Sequence, residues 1–214
     1  MTDNSKSNTL LKILPYVILA LFLISKPFQT KTDAIYYSAV YYWSLAIYFV
    51  GTKQFRFSDL WDNWKKGKQF WLPVLITIAG MIAAFAIGML PEQIWDIDSG
   101  MGVYRIESTM PLLLFAVTLI PLPALAEESF FRKHIISFRS RTATVVTASI
   151  GLLLFGLTHS FNPVGVVIAM IWGVPWLVAY IKTKNVYVPV TAHFIGNLIM
   201  NGMIVANVVA ALIK

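Results

Sequence analysis

The sequence predicts an all-α bundle of membrane-spanning helices, about seven of them, with the N-terminus in the cytoplasm. Three observations carry that prediction. The first is composition: hydrophobic residues make up 57% of the 214 and charged residues 13%, with a mean hydropathy of +0.69. A soluble domain carries about a quarter charged residues, so this chain has too little polar surface to face water, and lipid must solvate much of it. The second is segmentation. Apolar runs fall at 10–28, 34–50, 69–90, 109–131, 142–159, 162–181 and 186–213, each near the roughly 20 residues that cross a bilayer. The third is the placement of positive charge. Lys6, Lys12, Lys53, Arg56, Lys65, Lys66, Lys68, Lys133, Arg139, Arg141, Lys182 and Lys184 lie in alternate connections, against only Lys26, Lys31, Arg105 and Lys214 in the others. The positive-inside rule then puts the first group in the cytoplasm and the C-terminus outside.

Each element can be justified in turn. The first run is interrupted by Lys12 and Pro15 and ends in Ser25-Lys26-Pro27 without a small-x-small cleavage site, so it reads as a retained span and not a signal peptide. The third connection, with Glu92, Asp96, Asp98 and Glu107, falls outside. Residues 142–181 contain no Asp, Glu, Lys or Arg and are too long for one span. Ser160-Phe161-Asn162-Pro163 is the turn that folds them into a tight hairpin, because Asn and Pro favour chain reversal. Gly165 and Gly173 are read as close-packing positions in the sixth span. The Trp and Tyr residues at 36–43, 61–71 and 172–187 are read as interfacial anchors. Asn201 and Asn207 are read as interhelical glue, worth roughly 0.6 kcal/mol each. The net charge of +7 invites a nucleic-acid partner, but its distribution between apolar runs is that of topology determinants, so none is expected. With no cysteine, disulfides, iron–sulfur clusters and thiolate zinc sites are excluded. The connections are too short to hold a soluble domain, so any chemistry comes from side chains on the helices.

A charged side chain within a span costs at least about 2.5–3.5 kcal/mol on insertion scales, which makes it a functional candidate. Three places qualify: Glu127, Glu128 and Arg132 in the fourth run, Phe155 and His159 in the fifth, and His193 and Asn197 in the seventh. Glu128 and Arg132 are four apart, so they share a helix face and can pair. Glu127 is turned about 100° from Glu128 and is expected to project elsewhere. His193 and Asn197 share a face, as do Phe155 and His159. If the fourth and fifth runs turn near 140–143, Glu127 and His159 lie at similar depth. His193 lies about 13 Å beyond Lys184, so the three places can share a layer. The bland alternatives are an interfacial ion cluster at the end of a shorter fourth helix, and a His159 that only caps its turn. His134, among Lys133, Arg139 and Arg141, reads as a solvated loop residue.

Taken together and in order, Glu127-Glu128-x-x-x-Arg132, Phe155-x-x-x-His159 and His193-x-x-x-Asn197 resemble the CPBP (Abi) family of intramembrane proteases, which includes the CAAX prenyl endopeptidases. The resemblance covers about 110–200. It divides the chain into 1–108, spans without a recognised motif, and 109–214, a catalytic helix bundle, within one integrated membrane domain. It implies peptide-bond hydrolysis inside the membrane, with Glu127, Glu128, His159, His193 and Asn197 as the catalytic set and Arg132 and Phe155 as structural support. Glu127 would be the general base on water, His159 would help hold that water, and His193 with Asn197 would bind the oxyanion. Such roles suit the residue types: a carboxylate in an apolar site can act as a base near neutrality, and donors aimed at an oxyanion commonly matter by about 10²–10³-fold. No cofactor is expected, because Asn197 suits an oxyanion site better than a metal shell. The alternative is zinc on Glu127, His159 and His193. The expected partners are the bilayer and a peptide or lipidated protein. The small size suggests a bacterial cell membrane. Two rivals stand beside this reading: a non-catalytic bacteriocin-immunity protein, and a transporter using the buried Glu and His as a proton relay.

Overall fold

The computed structural model describes residues 3–101 and 104–212, without the side chains of 3–10 and 212. The contributions of Lys6 and Lys214 to the charge count lie outside the described side chains. Among the described residues the regular structure is entirely helical. Helix α1 spans Asp3–Ser25 and passes through a 3₁₀ turn, Lys26–Phe28, where Pro27 cannot continue an α-helix. Then come α2 (Ala34–Gly51), the short α3 (Phe57–Trp64) and α4 (Lys68–Trp95). Gly67, at φ 58°, makes the sharp turn between α3 and α4. The next span is broken. It comprises α5 (Thr109–Leu119), a step at Ile120-Pro121, α6 (Leu122–Glu127) and a π-helical segment, Glu128–His134. Last are α7 (Arg141–His159), α8 (Pro163–Thr183) and α9 (Tyr187–Leu212).

Six stretches are long and apolar enough to cross a membrane: Leu11–Phe28, Lys68–Trp95, Thr109–His134, Arg141–His159, Pro163–Thr183 and Tyr187–Ala211. The chain is thus a polytopic integral membrane protein. The remaining expected span is α2, whose tyrosines make it less apolar than the six. It is nonetheless a full 18-residue helix that buries Tyr41, Tyr42, Leu45 and Phe49. The hairpin at 160–163 forms as expected. Asn162 caps α8 by accepting from Val164 N–H at 2.9 Å, and Pro163 occupies the first turn, where its missing N–H costs nothing.

Helix α8 packs against α4, α7 and α9, while α2 packs against α5 and α6, and α6 against α9. The centre of the bundle is therefore built from α6, α8 and α9, with α2 closing one side. Gly165 and Gly173 do permit close approach. A Cβ on Gly165 would collide with the Ser99 carbonyl, and one on Gly173 would come within 2.8 Å of Leu152 and 3.2 Å of Arg132. The reading of all Trp and Tyr clusters as interfacial anchors needs correction. Tyr36, Trp43 and Trp61 are exposed, but Tyr41, Tyr42, Trp176, Tyr180 and Tyr187 are buried in the bundle. Aromatic residues gain as much from an apolar interior as from the interface, provided their polar atoms find partners. Asn201 is glue as expected, donating to the Leu119 carbonyl at 2.7 Å. Asn207 is exposed and does not serve that role.

Candidate active site

Glu127 and Glu128 sit where the α6 geometry changes to π. Ile135 N–H reaches back five residues to the Phe130 carbonyl at 3.1 Å, the bonding that defines a π turn and that recurs at functional sites. Both carboxylates and Arg132 are essentially sealed from solvent, at 1%, 0% and 1% exposure. That removes the reading of an interfacial, solvated ion cluster, since such residues would keep their charged ends in water.

Glu128 Oε2 faces Arg132 Nε at 3.2 Å, the i,i+4 pair expected from spacing. Both atoms lack an aligned hydrogen bond, so the contact is an ion pair held by charge more than by geometry. The guanidinium is fixed on its other sides. Nη2 donates to the Gly173 carbonyl at 3.1 Å, and the group lies over the Phe155 ring at 4.8 Å. Phe155 thus supports the arginine through its π face.

The other oxygen of Glu128 meets His193 Nδ1 at 3.0 Å. The donor and acceptor roles of the two ring nitrogens depend on the tautomer. Nε2 points towards Glu127 Oε2 at 3.9 Å, a spacing at which one water can bond both atoms. Adjacent carboxylates therefore grip opposite edges of one imidazole. The 100° rule placed Glu127 on a different face from Glu128. The structure brings both to the two nitrogens of one ring. The ring itself is clamped by Trp176, stacked at 4.0 Å and 13°.

Glu127 Oε1 is held by Tyr42 Oη, which donates at 2.7 Å. Tyr42 lies on α2, within the 1–108 stretch that carried no motif. Sequence reasoning missed both Tyr42 and Trp176. Two adjacent tyrosines in an apolar helix were the available signal, and it was assigned to the membrane interface.

His159 ends α7, and its Nδ1 bonds the Phe155 carbonyl at 2.9 Å, so it does cap its own helix. Its ring also lies 4.5 Å from Phe155, which touches Trp176 in turn at 5.9 Å. The aromatic chain His159–Phe155–Trp176–His193 links the second and third sequence motifs, and Arg132 over Phe155 joins the first to it. Asn197 sits one turn beyond His193, and its buried Nδ2 has no partner among the described residues. The zinc alternative asks Glu127, His159 and His193 to converge. Among the described residues no three His, Cys, Asp or Glu side chains gather in that way. His159 Nδ1 is turned to its own helix, and one oxygen of Glu127 is taken by Tyr42. As arranged, these residues do not fit a zinc ion.

A buried carboxylate pair, an arginine and an imidazole thus come together within the helix bundle. Residues 109–199, less than half of the chain, match the family described as type II CAAX prenyl endopeptidase Rce1-like, which supports the likeness to the CPBP/CAAX intramembrane proteases. Neither the curated proteins nor the solved structures compared with the chain give a match.

Proposed function

We propose that the protein is an endopeptidase that cleaves a membrane-associated or lipidated peptide with a water activated by Glu127. The observation that supports this is Glu127 Oε2 facing His193 Nε2 across 3.9 Å, both side chains buried. A water between them is aligned by His193 and gives a proton to Glu127 as its oxygen attacks the peptide carbonyl. The carbonyl oxygen becomes an oxyanion and accepts from Asn197 Nδ2, a buried donor without a competing partner. Glu127 then returns the proton to the amide nitrogen, the C–N bond breaks, and an acid and an amine leave. Glu128 and Arg132 position His193 and do not touch substrate. His159 keeps Nε2 free to bond the water or the substrate.

In this reading Asn197 carries the oxyanion bond and His193 holds the water.

The test is peptide cleavage by purified protein in detergent. Glu127→Gln keeps the shape and removes the base, so the rate should fall by at least about 10²-fold with folding intact. Prolonged treatment with o-phenanthroline should leave the wild-type rate unchanged. Loss of activity on chelation with recovery on added zinc would replace the glutamate mechanism with a metal one. Undiminished cleavage by Glu127→Gln would remove the site assignment.

A further inference from the structure

A second polar site lies away from the catalytic centre, at the end of the bundle where the basic connections gather. It is a cleft of about 310 Å³ between α3, the π-helical segment and the α8–α9 turn, with Lys66, Lys133, Lys184, Asn63 and Tyr180 on its walls. None of the three lysines forms an ion pair among the described residues. Lys66 donates to Asn63 Oδ1 at 2.9 Å, Lys133 to the Gln54 carbonyl, and Lys184 lies over the Phe138 ring at 5.4 Å. The one carboxylate in the cleft, Asp59, is engaged by Arg56 at 2.8 Å and by the Tyr187 hydroxyl at 3.3 Å. The cleft therefore sets three lysines against a single carboxylate that is already paired with Arg56.

The walls are built and not incidental. Asn63 is 7% exposed and its Oδ1 also accepts from Asn185 Nδ2 at 2.7 Å, which ties α3 to the α8–α9 turn. Lys184 stands in the left-handed region, φ 51°, a conformation a lysine rarely adopts. The depth of the cleft is set by α3. Phe57 and Trp61, four apart on one face, are both exposed, and an amphipathic helix with an outward aromatic face lies in the membrane interface. Phe138 is exposed and packs on Tyr180 of the cleft with ring centroids 5.6 Å apart, so an apolar surface adjoins the mouth.

We propose that this cleft binds a phosphate group, presented to it at the membrane surface by the headgroup of an anionic phospholipid. Lysines suit phosphate as flexible point charges, and basic pockets between membrane helices at the cytoplasmic side take anionic headgroups. The acyl chains would lie along Phe138.

The experiment titrates the full-length protein in neutral detergent with phosphatidylglycerol, phosphatidylcholine, or glycerol 3-phosphate, reading bound lipid by native mass spectrometry and stability by thermal unfolding. Phosphatidylglycerol should bind saturably with a rise in Tm, and phosphatidylcholine should not. Lys66→Gln/Lys184→Gln, which leaves the Lys133 bond to Gln54 intact, should weaken binding about 10-fold or more. Lys68→Gln/Arg139→Gln removes the same charge outside the cleft and should change it by less than about 2-fold. Lys184→Asn, which suits the left-handed backbone, should weaken binding on its own. Equal losses in both double variants would mean diffuse surface charge and overturn the site, as would undiminished binding in Lys66→Gln/Lys184→Gln. Stabilisation by glycerol 3-phosphate at the same concentrations would keep the phosphate chemistry and overturn the lipid as its source.

Discussion

Asn197 and Asn201 sit one turn apart on α9 and offer the same amide, yet their surroundings separate them. Asn201 is satisfied by the Leu119 carbonyl, so it fastens α9 to the helix it crosses. Asn197 has a buried, unpartnered Nδ2, and a donor left unpaired costs about 1–3 kcal/mol unless a ligand uses it. Asn197→Ala should therefore lower cleavage by about 10²-fold with little change in Tm. Asn201→Ala should lower Tm and spare the specific activity, and a reversed pattern would reassign the two. Tyr42 is a positioning residue: its bond to Glu127 Oε1 aims Oε2 at His193. Tyr42→Phe should reduce kcat about 10-fold, through misplacement of the base, while KM stays near its wild-type value. An equal rise in KM with constant kcat would mean that Tyr42 contacts substrate instead. Of these residues, Asn197 was legible in the sequence because a polar group in an apolar helix is costly. Tyr42 was not, because a tyrosine is ordinary both in a core and at an interface, and only its partner tells which.

The π-helical segment shows why spacing arguments reached the site only in part. The i,i+4 rule found Glu128–Arg132 and the order of the motifs found the helices involved. A change from α to π bonding has no sequence signal of its own, so the convergence of Glu127 and Glu128 on one imidazole lay beyond that rule. The segment is kept in place by α7, at Gly151. A Cβ there would stand 2.7 Å from the Phe131 carbonyl oxygen, and because that atom is backbone it cannot swing aside. Gly151→Ala gains up to about 1 kcal/mol of helix propensity but incurs an overpacking cost of about 1–3 kcal/mol, so the sum is destabilising. Thermal unfolding in detergent should show a lower Tm for Gly151→Ala and an unchanged or higher one for Gly202→Ala, whose Cβ would meet nothing within 4 Å. A Gly151→Ala protein as stable as wild type would mean that α7 and the π-helical segment can part without loss.

At the scale of the whole molecule, contacts sort the connections into two ends. At one end Lys133 reaches Gln54, His134 lies 3.3 Å from the Lys12 carbonyl, and Asn185 bonds Asn63. These join the N-terminal stretch with the second, fourth and sixth connections, the strongly basic set. At the other end Lys26 donates to the Thr158 carbonyl at 2.7 Å, Asn162 to the Asp98 carbonyl at 2.9 Å, and Arg105 N–H to the Lys31 carbonyl at 2.9 Å. The first, third and fifth connections meet there. The alternation read from charge alone is thus an alternation in space, which requires α2 to cross the bundle as a span despite its tyrosines. The positive-inside rule predicts that the cation-rich end faces the cytoplasm. Cysteine labelling can test this without background, because the chain has no cysteine of its own. Ser99 is a poor reporter, since it is 3% exposed and would stay silent on either side. Ser58 and Ser108 are both exposed and sit at opposite ends. An impermeant maleimide applied to intact cells should label Ser108→Cys at once and Ser58→Cys only after permeabilisation. The opposite order would invert the orientation and place the lysine-lined cleft outside. Labelling of both from outside would mean that α4, the long helix between them, does not span.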